Sequence, residues 1–252
     1  MKYGLYCLVV LFLLIACQQR SSNINRQIKK DSGFSLFVAD SGFVTKKEGL
    51  LFLLTKKLTD TVDSYWNHAK ENDTIGKYYK IKETGHYYFC TIDLSSKYNF
   101  ETHLLIEIKE NGTIVDTERF YHGAYPCCWG NYYDGFQKYG HFFGIKTCAT
   151  GSGYCAGYLH LFQNKLAQGE FLEIPVDLWS SLGFNGLSQK LDSWIVAKKD
   201  TLLVHYTLEE GKLNEDSDFQ VQHTQKITVT YRFENNKWIT HDDTTWLDDR
   251  TF

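Results

Sequence analysis

The chain has 252 residues, 27 of them basic and 30 acidic, for a net charge of −3 at neutral pH. A balance this near zero lacks the electrostatic footprint of a nucleic-acid-binding domain, whose pI usually exceeds about 9, and no basic run is longer than Lys29-Lys30 or Lys46-Lys47. Seventeen Tyr, 17 Phe and six Trp against two Pro suit pleated, half-buried surfaces and argue against disorder.

The first element is a targeting segment. Met1-Lys2 supplies a short positive start, and a run of twelve mostly large apolar residues follows at positions 5–16. That is short of the roughly 17–25 residues a membrane-crossing helix needs, and it fits the apolar core of a signal peptide. The run closes on Leu14-Ile15-Ala16-Cys17. This ending resembles the bacterial lipobox, and the resemblance is confined to residues 1–17. It implies cleavage before Cys17, a diacylglycerol on the Cys17 thiol, and a membrane as the first partner. A single acyl chain binds only marginally, at about 0.8 kcal/mol per buried CH₂, whereas two or three hold firmly. Lipoproteins retained at the inner membrane often carry Asp directly after the cysteine. Gln18 stands there instead, so the resemblance points to the outer membrane of a Gram-negative envelope.

Residues 17–32 are polar, lack hydrophobic periodicity and read as a flexible tether. Residues 33–252 then form one β-rich domain. A strand is expected at 34–38, and the block Leu50-Leu51-Phe52-Leu53-Leu54 has strand length. Leu58, Val62, Tyr65, Trp66 and Ala69 fall at helical spacing, predicting one short helix near 58–70. Strand 87–92 follows. In 102–121, Leu104, Ile106 and Ile108 alternate with His103, Glu107 and Lys109, and Asn111-Gly112 marks a hairpin turn in which both residues take positive φ. Two further hairpins are expected, joining 194–197 to 202–208 through Lys198-Lys199-Asp200, and joining 226–233 to 238–240 through Asn235-Asn236. The fold class is therefore mainly β, an antiparallel hairpin-rich sandwich or partly closed barrel.

Residues 121–163 stand apart, with eight glycines and four of the five cysteines that follow Cys17: Cys127, Cys128, Cys148 and Cys155. The fifth, Cys90, reads as a small buried hydrophobe. An oxidising envelope compartment favours disulfides that staple a glycine-rich loop with little periodic structure. Adjacent cysteines distort disulfide geometry, so the pairing is 127–148 with 128–155, or 127–155 with 128–148. The same thiols with His122, His141 and His160 offer a metal set, but the spacing matches no common zinc site. Gly151-Ser152-Gly153 lacks the outer glycines of a nucleophile elbow, and Gly151-x-Gly153-x-x-Ala156 lacks the strand–helix frame of a dinucleotide site. No catalytic trio, metal or cofactor is assigned. The carboxylates Asp242, Asp243, Asp248 and Asp249 read as a solvated end.

The rings of Tyr125, Trp129, Tyr132 and Tyr133 in this segment suit presentation to a sugar or a partner protein, since each pairs an apolar body with a polar edge. The functional expectation is a membrane-anchored envelope lipoprotein acting as a non-enzymatic binding or accessory module. The alternative is a periplasmic hydrolase or a thiol- or metal-dependent enzyme, built on the histidines and cysteines of 122–160 together with Asp134.

Overall fold

The computed structural model describes residues 36–37, 39–59, 70–92, 103–120, 135–151, 153–163, 166, 171–181 and 187–248. The chain is mainly β, with thirteen strands and two helices among these residues, in two antiparallel sheets. The smaller sheet is a meander of β1 (Ser41–Thr45), β2 (Thr74–Lys80), β3 (Tyr87–Ile92), β4 (His103–Ile108) and β5 (Ile114–Phe120). The larger sheet is also a meander: β6 (Phe136–Tyr139), β7 (Phe142–Gly151), β8 (Tyr154–Phe162), β9 (Leu172–Ser180), β10 (Ser188–Lys198), β11 (Thr201–Leu213), β12 (Phe219–Glu234) and β13 (Lys237–Ile239). Neighbours in sequence are neighbours in space throughout, which is why short hairpin signals carried so much of the topology.

The expected hairpins are present. Asn235 and Asn236 both have positive φ, at 53° and 62°, as the tight turn between β12 and β13 requires. At the β4–β5 turn only Gly112 is left-handed, with φ of 77°. Lys109 and Thr113 pair across a three-residue loop, and the Asn111 side chain accepts from the Thr113 N–H. That is a wider turn closed by a glycine bulge rather than the two-residue form.

The described residues hold a helix that the sequence did not announce. Helix α1 spans Lys46–Thr55 and contains the Leu50–Leu54 block. Its start is fixed by a capping box in which Thr45 and Glu48 satisfy each other's backbone N–H groups. Leu58, Thr59 and Lys70 are not helical, and residues 60–69 lie outside those described. In the strand expected at 34–38, Leu36 and Phe37 are not extended in a sheet and the other three residues lie outside those described; among the described residues the first strand is β1.

The smaller sheet is covered on both faces, which explains why all six residues of β4 are buried despite their alternating character. Leu104, Ile106 and Ile108 pack with Phe89, Tyr78, Phe37 and α1. Leu105, with Tyr88 and Cys90, points the other way, into Phe136, Phe143, Ile145 and Phe162 of the larger sheet. Edge-to-face rings form this seam, with Tyr88 at 4.9 Å from Phe143 and 5.2 Å from Phe162. On its opposite face the larger sheet curls round a core of its own, in which Phe142 of β7 meets Trp238 of β13 at 4.7 Å. The sheet stays open, its order ending at β13 on one side and β6 on the other. Helix α2 (Thr245–Asp248) sets Leu247 and Trp246 against this core.

Candidate functional site

The smaller sheet covers the β6–β8 end of the larger one. Beyond that cover the outer face of β8–β12 continues, and its residues alternate with the core residues Leu159, Leu161, Ile174, Val176, Leu178, Leu191, Val204, Tyr206 and Val229. Register then places His160 opposite Glu173, Asp177 opposite Asp192, and Trp194 opposite His205, which is opposite Thr228. A polar track therefore crosses the sheet from the edge of the inter-sheet seam to β12.

At the seam end, His160 Nδ1 lies 3.3 Å from Glu173 Oε2 and its Nε2 lies 2.9 Å from Thr147 Oγ1. With the Nδ1 proton directed at the carboxylate, Nε2 is left to accept from the Thr147 hydroxyl. The ring of Phe120 lies 5.4 Å away from the imidazole. Burial lowers the His160 pKa, and the neighbouring Glu173 charge opposes that only in part. His160 is therefore neutral at pH 7. Thr147 is 7% exposed.

At the far end Trp194 is 58% exposed. Its indole stacks on His205 with centroids 3.7 Å apart and planes 20° apart. His205 is itself held through Nδ1 by Thr228 Oγ1 at 2.8 Å. A large ring that stays in water on a polar sheet face, yet is fixed by its neighbours, costs little entropy to use in binding. Between the two ends, Lys190 pairs with Asp192 and Glu209, and Asp177 lies 3.5 Å from Lys146, which stands on β7 opposite Leu159 and so reaches it from outside the track.

The residues of 121–163 are sorted by the structure. Residues 121–134, which include Tyr125, Cys127, Cys128, Trp129, Tyr132, Tyr133, His122 and Asp134, lie outside those described. The remainder is largely sheet rather than loop: Cys148 is in β7, Cys155 in β8, and His160 further along β8. Glycines serve the sheet here, because Gly144 lies where a Cβ would meet Leu159 at 2.7 Å. The Cys148 and Cys155 sulfurs are 4.0 Å apart, about twice a disulfide bond length, so the two are not joined to each other. His141 is exposed in the β6–β7 turn. Among the described residues no group of three or more His, Cys, Asp or Glu side chains is placed to hold a metal. The buried thiol of Cys90 faces His103 Nδ1 at 3.8 Å, and burial pushes its pKa up, which makes it a poor nucleophile. Of the acidic end, Asp242 and Asp243 are exposed, as expected of a solvated end, and also serve as local acceptors, while Asp249 lies outside the described residues. Asp242 accepts from the Thr230 N–H on β12, and Asp243 accepts from both Thr245 donors at the start of α2.

Sequence reasoning passed over Trp194, His205, Thr147 and Glu173. One signal was present: Trp194 sits between Ser193 and Ile195 at an outward position of an alternating strand, where a polar residue is the rule. Comparison with family models, with curated proteins and with solved structures returns no match. The site must speak for itself.

Proposed function

We propose that the chain is a membrane-anchored envelope lipoprotein, tethered through Cys17, whose outer sheet face binds a ligand without transforming it. The observation that supports this reading is Trp194, exposed and yet immobilised by His205 and Thr228. Interfaces concentrate their energy in such pre-ordered aromatic residues.

The hydroxyl–imidazole–carboxylate order of Thr147, His160 and Glu173 resembles the start of a hydrolytic site. In the binding reading it is a tie across β7, β8 and β9. Thr147 lies within a ladder-bonded strand with its side chain nearly inaccessible, so a substrate carbonyl has no approach without displacing neighbouring rings. The cysteines Cys127, Cys128, Cys148 and Cys155 complete the proposal as two disulfides.

The test is retention on isolated sacculi. Protein freed of its lipid by Cys17→Ser should sediment with sacculi, and adding Trp194→Ala should weaken that retention about tenfold, the scale of one lost aromatic contact. Circular dichroism should stay unchanged, because Trp194 lies outside the core. Equal retention of both proteins would refute a role for this face.

A further inference from the structure

We infer that the ligand of this face is a neutral saccharide, with Trp194 as its stacking platform. The inference rests on the binding reading above and adds the chemical class. His205 occupies the indole face turned towards β11, so the other face looks towards β9. On that side stand Asp177 and Glu173, and Asp192 lies two residues from Trp194 along its own strand, all three exposed. The track from His160 on β8 to Trp194 on β10 crosses two interstrand spacings, about 10 Å, so a bound chain contacts more of it than one ring would.

The charges of the track identify the ligand class by their balance. Four carboxylates, Glu173, Asp177, Asp192 and Glu209, are interspersed with four cations, Lys190, Lys198, Lys226 and Arg232, the last two on β12 and in line with Thr228. Asp177, Asp192 and Glu209 already pair with Lys146 or Lys190. The strip thus presents many hydrogen-bonding atoms and little net field, which gives a charged polymer no electrostatic pull. A neutral sugar has the complementary pattern. Its axial C–H groups form an apolar face that lies on an indole, and its hydroxyl rim donates to carboxylates and accepts from ammonium groups.

Calorimetric titration of the full-length protein in detergent with four neutral tetrasaccharides, of β-1,4-linked N-acetylglucosamine, β-1,4-glucose, α-1,4-glucose and β-1,4-mannose, tests this directly. At least one should bind, with little dependence on salt. Trp194→Ala should weaken it about tenfold, Trp194→Phe much less, and Asp192→Asn measurably. Binding of none of the four, or binding that Trp194→Ala leaves intact, overturns the inference. Oligolysine serves as the contrast probe. If it binds and Trp194→Ala abolishes that, the saccharide class is wrong while the binding face stands. If Trp194→Ala also leaves sacculus retention unchanged, the binding reading falls as well.

Discussion

His160 shows how one side chain ties local chemistry to stability. Its pKa is lowered from the usual 6.5 because burial disfavours the imidazolium. Below about pH 6.5 the unfolded chain binds a proton that the folded chain does not, so stability rises with pH through this window and is lost as pH falls. The urea midpoint should therefore drop between pH 7 and pH 5, and His160→Gln should reduce that drop. An identical pH profile for the variant would show that His160 is not the group responsible. The cysteines make a second residue-scale case. Proteolytic mapping of the unreduced mature chain should find two linkages joining Cys127 and Cys128 to Cys148 and Cys155. Cys90, buried beside His103 with a raised pKa, should alkylate only after unfolding. Alkylation of all five thiols in the folded protein without reductant would refute both statements.

At the scale of elements, short-range devices decide where segments start and stop. In α1 the Leu50–Leu54 block has no helical stripe to announce it, yet Thr45 and Glu48 close a capping box around the first turn. Thr45→Ala should cost about 1 kcal/mol, read as a lower denaturation midpoint with an unchanged slope. A null effect would mean that packing of Phe52 and Leu53 alone holds the helix. At the other end of the chain, β12 runs well past β13 and leaves an edge. That edge carries Lys226, a register shift opposite Glu210 and Gly211, and an Asp242 carboxylate on the Thr230 N–H. Each is a device that blunts edge-to-edge pairing. Glycine at the centre of β2 marks the opposite situation, close packing: a Cβ on Gly76 would lie 2.6 Å from the Cys90 carbonyl oxygen.

For the whole molecule, the proposed anchor and the proposed binding face make separable contributions. Cys17→Ser should move the protein out of the membrane fraction or leave an uncleaved precursor, while sugar and sacculus binding stay intact. Unchanged membrane partitioning with normal processing would eliminate the lipid anchor. The two sheets are joined by the Tyr88, Phe136, Phe143 and Phe162 rings, so the smaller sheet both buries its second face and shields the β6–β8 end of the larger one. Where that shield stops, the polar track begins.

Local grammar was legible in the sequence wherever a few adjacent residues suffice. Asn235-Asn236, Asn111-Gly112 and Lys199-Asp200 placed three turns, and alternation placed the strands beside them, because turn sterics and the two-residue pleat act over short distances. The proposed address on residues 1–17 rests on a local reading of the same kind. What only the tertiary structure decided were the properties set by neighbours distant in sequence. β4 is buried on both faces because α1 and the β6–β8 end arrive from opposite sides. The glycine-rich 135–163 stretch is sheet because its glycines admit the side chains of adjoining strands. Trp194 is a surface residue rather than a core residue because register turns it outward onto His205, and no property of the indole itself distinguishes those two fates.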